Sequence, residues 1–274
     1  MENLVNKKRI AICFFGQTRT SVLLNEVYRN LNRLSDKFQF DFFASTWDDF
    51  ENKSCFDFFT DKEFIKKELP WHDSDGWIKS NSQRMAVTLA KTNQLKANYE
   101  LNNCFVYDYV VYTRSDYYYN IDIFLEILEE RSKNPTKYQI DLLDDMVEDE
   151  DGYNYLHNDI LLMGTSLAFD LYCTGWKSYY MSGESKKYKH GGHNFHAYNI
   201  SENNLDYSKS LEKLGNGAQV LFEKQRWEMV NEDAEIDIDF KKLLKEIREH
   251  KKRVRKGLMH GGEEKGFFPS LVKK

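Results

Sequence analysis

Proline is scarce: three in 274 residues, too few for a proline-rich linker or an extended disordered tail. The four cysteines, Cys13, Cys55, Cys104 and Cys173, are scattered and form no CxxC pair. They read as reduced, mostly buried thiols rather than a disulfide or zinc framework. No apolar run approaches the roughly 20 residues of a membrane-spanning helix. The opening MENLVNKKR has no apolar signal core. Positive charge is not in excess either: the net charge is −5 and the pI about 5.9. That balance excludes a general nucleic-acid binder, which carries a basic patch and an alkaline pI. The glycine signatures GxGxxG and GxxxxGK are both missing, so neither a Rossmann dinucleotide site nor a P-loop is supported.

What remains is a polar globular chain with 41% hydrophobic, 30% charged and 15% aromatic residues. Its length suffices for one large domain with a sizeable core. Its 17 Tyr and 19 Phe fill cores, and Tyr also lines sugar and base pockets with a flat apolar face and a polar tip.

The stretch 107–120, YDYVVYTRSDYYYN, organises the rest. Residues 109–113 suit a strand buried on both faces. The run stops at Arg114-Ser115-Asp116, and the carboxyl ends of buried strands are where open α/β sheets bind ligands. Asp116 is a hard oxygen ligand suited to Mg²⁺ or Mn²⁺. Arg114 is a fork-shaped clamp for phosphate or carboxylate. The plainer alternative is that the two pair with each other.

Upstream, 9–15 (RIAICFF) is a strand ending at Gly16-Gln17-Thr18-Arg19-Thr20, with Ser21 capping a helix to about Leu34. Gly16 lets a ligand approach the backbone. Arg19, in the helix's first turn, is either a phosphate or base contact or a solvated side chain. A second strand, 38–44, ends in Ser45-Thr46-Trp47-Asp48-Asp49, where Trp47 is placed to stack on a base or sugar. Residues 55–59 suggest a short strand and 61–69 a short helix stopped by Pro70. The loop 71–77 brackets Asp73 and Asp75 between two tryptophans. A long helix is expected over 80–103, with Gln83 and Arg84 in its first turn near a ligand.

Beyond the central strand, a helix is expected over 121–132 and a strand over 138–143. The acidic stretch 144–152 reads as a solvated loop, since the EF-hand spacing is missing. Asn158-Asp159 opens a strand that ends at Gly164, and Ser166 caps the next helix. Residues 186–199 read as a loop with His190, His193 and His196. Gly191-Gly192 breaks any helix that would align these three, and no cysteine is near, which argues against zinc. A helix is expected from Ala218 to about Val230, and a basic helix over 240–256 that is either solvated or laid on an acidic membrane surface.

Strands alternating with helices, with polar residues at strand ends, predict a three-layer α/β domain with a mostly parallel sheet. The segments RIAICFFGQTRT, FDFFASTW, NSQRM, YDYVVYTRSDYYY and HNDILLMGTSLAFDLYC, in that order, resemble the small GT-A-type glycosyltransferases of bacteria, large DNA viruses and phages. The resemblance spans roughly residues 9–176. It implies a Rossmann-like GT-A domain with a nucleotide-binding half over about 1–120, an acceptor-binding half over about 121–235, and a basic C-terminal helix and tail over 236–274.

The resemblance further implies transfer of a hexose or pentose from a nucleotide sugar, a UDP-sugar by preference, to a glycan hydroxyl. Phe14, Gly16, Arg19, Thr46, Arg84, Arg114, Ser115 and Asn158 would hold the donor. Asp116 would match the last acid of the family's DxD and bind Mn²⁺ or Mg²⁺, with His193 (or His260) as a late histidine ligand. The first acid of that motif is Arg114 here. Asp159 would be the general base of an inverting reaction, with Asp73 as runner-up. The implied setting is the cytoplasm, the host's if the source is viral, with at most peripheral membrane contact and no nucleic acid. The rival readings are a sugar nucleotidyltransferase and a non-catalytic carbohydrate-binding protein.

Overall fold

The structure is a computed structural model that describes residues 7–16, 31–48, 56–65, 81–114, 117–118, 120–156, 161–181, 192–214 and 218–219. Its centre is a seven-stranded sheet. In chain order the strands are β1 (Lys8–Gly16), β2 (Phe38–Trp47), β3 (Asp61–Ile65), β4 (Tyr109–Arg114), β6 (Gln139–Leu142), β9 (Leu161–Gly164) and β10 (Asp206–Ser208). Across the sheet they run β10-β6-β9-β4-β1-β2-β3. β1 pairs in parallel with both β2 and β4, β2 with β3, and β6 with β10. β9 is antiparallel to both its neighbours, β4 and β6. The expected three-layer α/β architecture with a mostly parallel sheet is therefore the one observed.

Both faces of the sheet are buried, which explains why β1 and β4 read as unbroken apolar runs. One face carries Ile10, Ile12, Phe14, Tyr109 and Val111 beneath helix α2 (Ile121–Lys133) and the helical residues 31–34. The other carries Ala11, Cys13, Phe15, Val110 and Tyr112. Over it lie α1 (Asn81–Asn102), α3 (Ser166–Tyr172) and α5 (Gly192–Glu202). A short helix, α4 (Trp176–Met181), packs beside α5 through Tyr179 and Phe195. Burial pushes the Cys13 thiol up, and that of Cys173 up to about 12, so both behave as inert apolar residues. Among the described residues, no helix is long and apolar enough to cross a membrane.

Several local expectations are corrected. Residues 61–65 form edge strand β3 rather than the start of a helix. Pairing with β2, from Phe43↔Asp61 to Trp47↔Ile65, outweighs the weak helical preference of so short a segment. Residues 56–59 are a turn, closed by Phe59 N–H donating to Phe56 O at 3.0 Å, and their rings pack on Phe14, Phe42 and Phe64. The acidic stretch contains a hairpin, β7 (Met146–Glu148) with β8 (Asn154–Leu156). The cap of α3 is Thr165, whose Oγ1 accepts from Ala168 N–H; Ser166 lies inside the helix. Residues 192–199, read as loop, are helical in α5, because Gly192 starts that helix instead of interrupting it. Ala218–Gln219 is a strand, β11, paired antiparallel with β5 (Tyr117–Tyr118), not the start of a helix. The expected basic helix at 240–256 lies outside the described residues.

One buried polar network fixes α1 against α3. The Lys96 ammonium donates to Ser166 Oγ and to Asp170 Oδ1 (2.8 Å), and lies 3.1 Å from Glu100 Oε2. Ser166 Oγ donates to Glu100 Oε1 at 2.7 Å, and Tyr107 N–H reaches the same oxygen. Asn93 donates to Asp170 and accepts from the Tyr112 hydroxyl at 2.8 Å. Burial alone pulls the Lys96 ammonium toward neutrality, but the Asp170 and Glu100 carboxylates outweigh it and hold its pKa above the ordinary 10.5. The stability it contributes is therefore complete below that value and is lost as pH rises through the raised one. Replacing Lys96 by Met strands the Glu100 carboxylate in the interior; we expect a loss on the order of 3–5 kcal/mol in urea unfolding at pH 7. A loss under about 1 kcal/mol would show that the network is idle.

Candidate functional site

The strand order turns back on itself between β1 and β4. From β1 the chain winds outward through β2 and β3, then returns to the other side of β1 as β4. In open α/β sheets such a switch point leaves a crevice at the carboxyl ends of the strands, where the connecting loops part. Here those ends are Gly16, Trp47 and Arg114. Phe15 registers with Ser45 and with Arg114, and Gly16 registers with Thr46. Neighbouring strands lie about 4.8 Å apart, so Gly16, Thr46 and Arg114 share one short stretch of rim. β9, running the other way, begins at this rim: its first residue, Leu161, pairs with Thr113. The small pair β5–β11 sets residues 218–219 beside 117–118, just past Asp116 in the sequence.

Helix α1 meets the rim through a ladder of side chains spaced four residues apart. Thr92 Oγ1 accepts Ser45 N–H at 2.9 Å and lies 2.9 Å from Phe14 O and 2.8 Å from Thr88 O, its two available acceptors. Thr88 Oγ1 accepts Gly16 N–H at 2.9 Å and donates to Met85 O at 2.8 Å. Arg84, the next step, holds its guanidinium 5.9 Å from the centre of the Trp47 ring. The spacing has a geometric cause: four helical residues rise about 6 Å and two strand residues about 6.6 Å, so each helix step matches two positions of an antiparallel strand.

The sequence-derived residues divide accordingly. Gly16, Thr46, Arg84 and Arg114 lie together at the rim. Gly16 has φ +90°, a conformation natural to glycine, and no described atom lies within 4 Å of where its Cβ would be. The Thr46 hydroxyl is turned inward and donates to Gly16 O at 2.8 Å, so it holds the backbone instead of facing out. The Phe14 side chain is 3% exposed and packs edge-on against Phe59, which makes it core. Trp47 is likewise 3% exposed among Ile65, Val87 and Trp176, so its ring is wall and not a stacking platform.

His193, in the first turn of α5, places Nδ1 2.7 Å from Leu156 O. A carbonyl only accepts, so the neutral ring carries its proton on Nδ1. Asn194 Nδ2 donates to Asn154 O at 2.9 Å, and the two bonds fasten α5 to β8. Arg19, Asp73, Ser115, Asp116, Asn158, Asp159, His190 and His260 lie outside the described residues. Among the described residues, no group of three or more His, Cys, Asp or Glu is arranged to hold a metal ion. The local pattern does not single out Thr88 and Thr92. The available signal is two threonines four apart on the buried face of a helix, where a hydroxyl needs a partner.

No protein-family model and no curated protein matches the chain. Among solved structures it is similar to the galactosyltransferase LgtC, in a crystal structure with donor and acceptor sugar analogues. The two are 11% identical, 73% of each chain is covered, and the TM-score is 0.37.

The left-handed backbone at Gly16 generates a simple expectation. Gly16→Ala forces a Cβ onto that conformation at a cost of about 1–2 kcal/mol, although the new methyl meets no described atom. Urea unfolding that shows no loss would mean that the backbone at Gly16 relaxes freely.

Proposed function

We propose that this chain is a glycosyltransferase that moves a hexose or pentose from a nucleotide sugar, most simply a UDP-sugar, to a hydroxyl of a glycan. The observation that carries the reading is the switch point between β1 and β4, where Gly16, Arg84 and Arg114 converge on one rim. The ordered resemblance of five segments to GT-A-type enzymes supports sugar transfer over other uses of such a crevice. The working division has the nucleotide on the half formed by residues 1–120, the acceptor on 121–235, and the basic segment 236–274 beyond them. The setting is the cytoplasm.

Gly16 gives the nucleotide close access to the backbone, and Arg19 and Arg84 supply cationic hydrogen-bond donors beside it. Arg114 at the end of β4, with Ser115 next to it, meets the diphosphate with a rigid two-pronged donor. Asn158 and Asp159 stand just before Leu161, whose pairing with Thr113 belongs to the same rim. Asp159 takes the proton from the acceptor hydroxyl as its oxygen attacks the anomeric carbon. The bond from that carbon to the diphosphate breaks on the opposite side, the nucleoside diphosphate leaves, and configuration inverts. Asp73 is the second candidate for that base.

A Mn²⁺ or Mg²⁺ ion would draw on Asp116 and, through the ring nitrogen opposite the carbonyl-bound Nδ1, on His193, a tautomer common in ligating histidines. Its contribution would be to neutralise charge on the leaving diphosphate. With Arg114 in place of a first acid, the protein's own donor set is sparse, and the proton and sugar steps are assigned to side chains alone.

The test is a thermal-shift panel of nucleotide sugars with and without Mn²⁺, followed by transfer assays with the donor that binds. At 100 times its Kd a cognate donor adds about 2.7 kcal/mol of stability. Asp159→Asn is then expected to lower the transfer rate by about 10²–10⁴-fold with donor binding retained. A wild-type protein that no nucleotide sugar stabilises, or an Asp159→Asn protein with full activity, would overturn the function or the base respectively.

A further inference from the structure

Gly16 is held by hydroxyls at both ends. Its N–H is taken by Thr88 Oγ1 from helix α1, at 2.9 Å, and its carbonyl receives the Thr46 hydroxyl from β2, at 2.8 Å. The N–H belongs to the peptide before the Cα and the C=O to the peptide after it. Holding both peptide planes therefore fixes both dihedrals of the residue between them. That residue sits at φ +90°, a setting that an unconstrained glycine shares among several others. Both hydroxyls are buried, Thr88 fully and Thr46 at 4% exposure. Thr88 is itself oriented, since it donates to Met85 O within its own helix turn.

We infer that Thr88 and Thr46 are positioning residues: a two-sided clamp that presets the Gly16 backbone for a nucleotide, without either threonine touching it. The inference rests on the proposed donor site and adds to it the device that shapes that site before a donor arrives. Preorganisation raises affinity because the ordering is complete before binding. The clamp has a second consequence, for ligand chemistry. With its N–H given to Thr88, Gly16 does not offer that amide to a phosphate as glycine-rich phosphate loops do. The diphosphate of the donor is left to side-chain cations such as Arg114.

The experiment measures the Kd of UDP, with GDP and CDP as comparisons, by calorimetry on the full chain and on T88V and T88S. Backbone amide exchange at Gly16 and thermal melting are recorded for each. Valine keeps the shape of threonine and removes the hydroxyl, leaving the Gly16 N–H without its partner. T88V is expected to melt cooperatively, to exchange the Gly16 amide faster, and to bind the nucleotide about tenfold more weakly, the equivalent of roughly 1.4 kcal/mol. T88S restores the hydroxyl and is expected to bind within about twofold of wild type. A T88V protein with lowered melting temperature and unchanged Kd overturns the clamp and leaves the transferase reading standing. A wild-type chain that binds none of the three nucleotides overturns both. If T88V does not fold, T46V, which releases the other end of Gly16, is read by the same criteria.

Discussion

The ammonium of Lys96, buried between two carboxylates and a serine hydroxyl, is the interaction on which the geometry of the rim depends. It ties the middle of α1 to α3. A charge in the interior is tolerated only when its partners are fixed around it, and breaking such a set is far more costly than never having built it. α1 therefore has little freedom to slide along the sheet. That matters because Thr92 and Thr88 lie one and two turns farther toward its N-terminus and must meet the Ser45 and Gly16 amides, respectively, within hydrogen-bond distance. A shift by one residue would turn both hydroxyls off the rim and leave buried amides without acceptors, each at a cost of about 1–3 kcal/mol.

The same logic runs at the opposite edge. Arg131 grips Asp141 through two bonds, at 2.8 and 2.7 Å, and Ser208 and Gln139 reach the same carboxylate. This joins the end of α2 to β6 and β10 and holds the half of the sheet that carries β9. Because β9 runs against its neighbours, its beginning, not its end, arrives at the rim. A strand reversed at this point brings Leu161 to the rim where β4 finishes. Two separate buried charge sets thus hold α1 against α3 and α2 against β6 and β10.

Several of these elements are legible in the amino-acid order alone. β1 and β4 stand out because both faces are covered, so their residues are apolar almost throughout, and the polarity change at Gly16 and Arg114 marks where cover ends. α1 is legible from its length and apolar periodicity, and α2 from the Asn134-Pro135 that closes it off. β3, β11 and α5 are not. Each is short, and its state is decided by the neighbour it pairs or packs with: β2 for β3, β5 for β11, and β8 for α5. Phe14, Thr46 and Trp47 are legible as residues near a strand end. Which way each side chain turns is not, because that depends on the Phe59 ring, the Gly16 carbonyl and the Val87 side chain, which local pattern does not reveal.

The amino-acid order by itself determined the class of the fold, its buried strands, and the short list of arginines and acids at their ends. Those follow from local rules of periodicity, propensity and polarity. Only the tertiary structure decided that β4 returns beside β1, that β9 is reversed, and that a threonine of α1, about 70 residues away, joins one from β2 to close on a single glycine. Pairing and packing across such separations select one arrangement among many with the same local pattern, and the selection is made by buried hydrogen bonds that must all be satisfied at once.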